Sequence, residues 1–156
     1  MRTRKLAETS LLAATALIIY IVEAQIPSLT NIPGVKLGLS NTVTLFAMYT
    51  VGIGQAMFIL VIRVLLGAFA TGQVMSLIYS AAGGIVSFIV CALLKKVFPV
   101  RLLWVVSVFG AIGHNIGQIA AAVFVTGTRE IIYYLPILVI SGVVTGAFTG
   151  FAAQFA

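Results

Sequence analysis

The sequence contains no aspartate, and its only acids are three glutamates, Glu8, Glu23 and Glu130. An enzyme that grips a diphosphate through Mg²⁺ needs clustered carboxylates to hold the ion, so that class is excluded. None of the three glutamates falls mid-way along an apolar run, so a carboxylate proton relay has no parts. Cys91 is the one cysteine, which rules out an intrachain disulfide. His114 is the one histidine, and its run holds no second His, Cys or acid to complete a metal site or to orient it as a base. No G-x-x-x-x-G-K-[ST] loop occurs, so the chain does not hydrolyse ATP by that route. Neither an enzyme nor a resident cofactor is expected.

Charge is scarce as well. Charged residues make up 8% of the 156, against roughly 25% in a soluble domain, too few to coat a water-soluble globule. What fills the sequence instead is apolar: 62% of residues are hydrophobic and the mean hydropathy is +1.21. The runs are long enough, at roughly 20 residues per crossing, to span a bilayer. The expected architecture is an all-α integral membrane protein. Residues 1–156 form a single transmembrane domain, a bundle of six helices near Leu6–Gln25, Gly38–Tyr49, Gln55–Ala70, Val74–Leu94, Leu102–Val125 and Ile132–Ala153.

The second and third spans are the ambiguous pair, because residues 38–71 also read as one long helix. The distribution of cations decides for two spans turned at "YTVGIGQ". Six crossings place Arg2, Arg4, Lys5, Lys95, Lys96 and Arg101 on the cytoplasmic side with both termini, and leave Lys36 and Arg129 outside. Five crossings would move the Lys95–Arg101 cluster outside. The net charge of +6 and pI near 9.9 therefore reflect orientation, and no nucleic-acid partner is expected. Met1–Lys5 is basic, Leu11–Val22 is apolar, and Val22-Glu23-Ala24 precedes Gln25 in the manner of a signal-peptidase site; the expectation is that this segment stays as the first helix. The outer segment "AQIPSLTNIPGV" carries two prolines and a glycine and reads as an ordered loop. No internal repeat is evident, which counts against an inverted-repeat secondary transporter.

Helices associate in lipid by close approach of small residues. Three four-residue ladders provide it: Ser76–Ser80–Gly84, Gly113–Gly117–Ala121 and Gly142–Gly146–Gly150. Packing inside one bundle accounts for all three, and homodimerisation through the last span is the alternative.

The polar exception is "GAIGHNIGQIAAA", residues 110–122, which places His114, Asn115 and Gln118 inside an apolar run. On a helical wheel Gly110, Ala111, Gly117, Gln118 and Ala121 fall within about 60° of His114, and Asn115 at about 100°. Val105, Ile112, Ile116, Ile119 and Val123 lie opposite. His114 stands roughly 18 Å from the start of its helix, near the midplane. Polar groups at that depth either line a functional cavity or tie helices together by hydrogen bonds, and both readings stand. Arg63 is also near mid-depth, where it snorkels, caps backbone carbonyls or meets an anionic ligand. Glu23 is the nearest acid by depth.

The stretch "LLAATALIIYIVEAQIPSLTNIPGVKLGLSNTVTLFAMY", and "IPGVKLGLSN" above all, resembles the membrane family called Gx transporter or heptaprenyl diphosphate synthase component I. More broadly, the size, six spans, alanine-rich first helix and proline-bearing outer loop are similar to the substrate-binding S components of energy-coupling factor (ECF) transporters. That resemblance implies an S-component-like fold in a bacterial cytoplasmic membrane, surrounded by lipid. It implies capture of a small vitamin or cofactor precursor for an ATP-driven importer, and docking to an ECF transmembrane subunit with an ATPase pair. The docking positions would be Ser10, Ala13 and Ala14 on the first helix. The substrate positions would be Asn31, Lys36 and Asn41 from the loop region, with His114, Asn115 and Gln118 from span five and Arg63 beside them. Arg129, Tyr133 and Tyr134 would close the rim. The alternatives are a non-transport accessory of a quinone or flavin redox pathway and a subunit of polyprenyl diphosphate synthesis.

Overall fold

Long apolar runs with no proline in their interiors leave the backbone one way to satisfy its amides inside lipid, and that way is the helix. The computed structural model describes residues 2–26 and 36–155. Its helices are α1 (Arg2–Glu23), α2 (Asn41–Thr50), α3 (Ile53–Thr71), α4 (Val74–Leu94), α5 (Leu103–Thr126) and α6 (Leu135–Gln154). Short 3₁₀ turns, Val100–Leu102 and Arg129–Tyr134, lead into α5 and α6. Among the described residues there is no strand. All of these helices except α2 have the length and apolarity to cross a bilayer, which makes the chain a multi-pass helical membrane protein. The ends are set locally. Gly127, at φ 68°, closes α5 in the left-handed conformation that costs a glycine least. Pro136 sits in the first turn of α6, where its missing N–H is no loss.

The second span differs from its expected course. The Gly38–Tyr49 span was expected to be helical throughout, yet α2 begins only at Asn41 and Lys36–Gly38 has no regular structure. At 1.5 Å per residue the ten residues of α2 cover roughly 15 Å, half of a hydrocarbon core about 30 Å thick. The chain nevertheless crosses. Tyr20 lies against Gly67, while Lys5, Leu6 and Thr9 share a cleft with Gly54, Gln55 and Phe58, so α1 and α3 run parallel. The segment between them must therefore return through the bundle, and its described part is the irregular stretch 36–40 followed by a short helix.

α5 is the central rod. Gly113 and Gly117 face Val90 and the Ala82–Gly83 backbone of α4, and Gly142, Gly146 and Gly150 bring α6 against its other side. Its outward stripe is Phe109, Ile116 and Phe124. Ile119, expected on that stripe with Ile116, is only 3% exposed. It is covered by Ile131 of the 3₁₀ turn and Leu138 of α6. The apolar core is split in two. One cluster, including Met48, Ala56, Ile59, Leu103, Val106 and Ala153, fills the end where the chain starts. A smaller one, Tyr79, Ile119, Ala122, Ile131 and Leu138, fills the opposite end. Between them lies a layer of buried polar side chains.

Candidate functional site

The layer is built from the top of α1, the turn before α2, the middle of α3 and the facing sides of α4 and α5. Arg63 is 1% exposed. It donates through Nη1 to Ser40 Oγ and through Nη2 to Asn41 Oδ1 at 2.7 Å. A guanidinium only donates, so Asn41 must present its oxygen to Arg63 and its nitrogen elsewhere. That nitrogen donates at 2.7 Å to His114 Nδ1. Nδ1 is thereby the acceptor, and the ring proton resides on Nε2. One fixed relay thus runs from α3 through the start of α2 to α5.

Glu23 holds the turn that makes this possible. Its Oε1 accepts the amides of Gly38 at 2.5 Å and Leu39 at 3.2 Å, and its Oε2 that of Ser40 at 3.5 Å. These amides belong to no helix, and lipid offers them no partner. Gly38 has φ 81°, and a Cβ there would lie 2.7 Å from His114 Cδ2. Only glycine fits both the conformation and the contact.

A second group stands beside the relay. The Lys36 amide donates to Gln118 Oε1 at 3.3 Å, and Lys36 Nζ sits 3.5 Å above the centre of the Tyr20 ring. The ring is held by hydrogen bonds between its hydroxyl and those of Ser76 (2.9 Å) and Ser80 (3.2 Å). Gly83 of α4 supplies the flat floor: a Cβ there would come within 2.8 Å of both His114 Cε1 and Gln118 Cγ. Four buried donors of this layer have no acceptor among the described residues: Lys36 Nζ, Arg63 Nε, His114 Nε2 and Gln118 Nε2. Among the described residues the ion pair present is Arg4–Glu8, on the exposed start of α1. Glu23 is not within contact of either buried cation.

Of the positions expected to share a site, Lys36, Asn41, Arg63, His114 and Gln118 are brought into this one layer. Asn31 lies outside the described residues. Asn115 points away: its Nδ2 donates at 2.5 Å to the Leu138 carbonyl of α6 and crowds Gly142. Asn115→Ala is accordingly expected to cost about 1 kcal/mol, the scale of an interhelical hydrogen bond in a membrane, in a detergent unfolding titration. A loss several times larger would mean that Asn115 is part of the layer. Arg129 and Tyr133 are exposed at the end of α5 and the following turn, with Tyr134 half-buried. Sequence reasoning missed Ser40 and Tyr20. It read Ser76–Ser80 as a packing ladder, although serines spaced by four in an apolar helix are also a signal for hydrogen bonding across helices. On α1, Ser10 and Ala14 are exposed and Ala13 half-buried.

Among the described residues, two voids touch the layer, both lined in part by Asn41, and each holds about 10 Å³, room for one water. Two larger clefts are on the outside of the bundle. One, about 410 Å³, is the α1–α3 cleft lined by Lys5 and Phe58; the other, about 290 Å³, is an apolar groove between α3 and α4.

The comparisons with known proteins bear on this arrangement. No curated protein and no solved structure matches the chain. The family described as heptaprenyl diphosphate synthase component I matches over residues 12–156. With that match running from the first helix to the last, and a six-helix membrane bundle beneath it, the chain belongs to the heptaprenyl diphosphate synthase component I family.

Proposed function

We propose that the chain is the substrate-capture subunit, or S component, of an ATP-driven importer of the ECF type. The observation that carries this reading is the buried layer of donors, Lys36 Nζ, Arg63 Nε, His114 Nε2 and Gln118 Nε2, with no acceptors among the described residues. An unpartnered buried donor costs about 1–3 kcal/mol. Four in one layer are a standing cost that a bound, acceptor-rich small molecule would offset. The two adjoining voids hold about 10 Å³ each, so on this reading the side chains around Asn41 would have to move to admit a ligand. Without a phosphate-binding G-x-x-x-x-G-K-[ST] loop, the subunit would rely on a partner, and the small exposed residues Ser10 and Ala14 give a membrane-embedded partner a flat face to pack on. The chain itself would catalyse nothing and would sit in the bacterial cytoplasmic membrane with both termini inside.

The test is extraction of the full chain from its own membrane in mild detergent, followed by native mass spectrometry for a retained small molecule and for co-purified ATPase subunits. Both are expected. His114→Ala should weaken binding of the retained compound at least tenfold, while Asn115→Ala should leave it within about twofold. Equal losses from the two would remove the layer as the binding site.

The family's own description favours a second reading, a membrane accessory of polyprenyl diphosphate synthesis. Without an aspartate the chain would be a non-catalytic partner there. Prenyl diphosphate formation that stops when this chain is removed, and resumes when it is returned, would establish that reading and displace the importer.

A further inference from the structure

We infer that the compound taken up by this layer carries a single negative charge on an oxygen-rich group, and that the Lys36 ammonium receives it. The inference rests on the substrate-capture reading above and adds the chemical class of the substrate.

Charge balance carries the argument. Two cations are buried in the layer, Arg63 at 1% and Lys36 at 8% exposure, against one anion, Glu23, at 4%. His114 adds no charge, because its Nδ1 accepts from Asn41 and so bears no proton. The remaining acids are elsewhere: Glu8 pairs with Arg4, and Glu130 is exposed on the far turn. Residues 27–35 contain no charged side chain, so the outer loop has no charge to contribute. One positive charge is left over.

Position assigns that surplus to Lys36. Arg63 and Glu23 grip the same turn, Arg63 through Ser40 and Asn41, and Glu23 through the amides of Gly38, Leu39 and Ser40. They are thus coupled across one short segment. Among the described residues, the Lys36 ammonium has only the face of Tyr20. A ring quadrupole attracts a cation without neutralising it, and a buried charge without a counter-charge is held only where something else offsets it. The other unpartnered groups of the layer are donors too: Gln118, whose oxygen already takes the Lys36 backbone amide, and His114, side by side with Gln118 over Gly83. An ammonium that shares one buried layer with two neutral donors suits a carboxylate-like group of one charge. It is ill-suited to a neutral ring or a cation.

The test compares acid with amide. Purified full chain in detergent is unfolded thermally with millimolar acetate or with acetamide at equal ionic strength. In parallel, the compound retained from the native membrane is identified by mass. Acetate should raise the unfolding midpoint and acetamide should not. Lys36→Met should abolish the difference, and Lys36→Arg should keep it. The retained compound should be a small acid of one charge, with its primary amide binding at least tenfold more weakly. Equal responses to acetate and acetamide, or a difference that survives Lys36→Met, overturn the inference. So does a retained compound that is neutral, cationic or an anionic phospholipid. A retained neutral compound would leave the capture reading standing. An absence of any retained compound and of ATPase partners would remove both.

Discussion

Glu23→Ala is expected to be the most damaging single substitution outside the glycine ladders. It should lower the stability of the detergent-solubilised chain by roughly 3–9 kcal/mol, because three backbone amides lose their shared acceptor at about 1–3 kcal/mol each. The amide of Ser40, 1% exposed, cannot turn to water, and those of the half-buried Gly38 and Leu39 have no other acceptor within the turn. Nor can they turn to a helix, since the left-handed Gly38 interrupts one. The same substitution removes the layer's only negative charge and leaves Arg63 and Lys36 facing each other's field. Glu23→Gln separates these effects. Its remaining oxygen still serves Gly38 and Leu39, so its cost should fall to about half that of alanine, with the residue attributable to charge and to Ser40. Unfolding titrations of the three proteins in mixed detergent micelles give the comparison. Alanine as stable as wild type would mean that the turn before α2 is held by something else, and the relay to His114 would lose its foundation.

That turn also marks where the sequence was legible and where it was not. Five crossing helices follow from apolar length alone, and α4 begins and ends where hydropathy places it, at Val74 and Leu94. The small-residue ladders foretold which faces meet, because close backbone approach requires glycine whatever the partner. Residues 36–40 were different. "KLGLS" is apolar enough to extend a helix, and nothing within it announces that its amides are served by a carboxylate 15 residues earlier in the chain. Long-range polar pairing of this kind leaves no periodicity. The same applies to Asn115. On a helical wheel it stands about 100° from His114, close enough to suggest one polar face, yet α5 is covered on two sides and the two residues serve different neighbours. Arg63 was legible as an anomaly, since an arginine at mid-depth needs a reason. Its reason, an asparagine and a serine at the start of a half-length helix, became visible only once α2 was known to be short.

Gly146→Leu is expected to separate α5 from α6 and to cost about 3 kcal/mol or more, at or above the upper end for overpacking a close interface. A Cβ at 146 would stand 2.9 Å from Val108 Cα and 3.1 Å from the Ser107 carbonyl; at 150 it would stand 2.5 Å from Trp104 Cα. These obstacles are backbone, which cannot swing aside as a rotamer does, so the helices themselves must move. Even Gly150→Ala should therefore register. Trp104 is the only tryptophan, and it stacks on Phe151 of α6 with ring centres 5.3 Å apart and planes at 11°. Its emission is a built-in gauge of the seam and should shift to longer wavelength in both variants as the stack opens. This result also decides what the glycine stripe is for. In the structure all three glycines are occupied by α5 of the same chain, so the variants should lose stability without any change in oligomeric mass by light scattering. Loss of a dimer with the unfolding midpoint and Trp104 emission unchanged would instead mean that a second copy, and not α5, fills the stripe in the membrane.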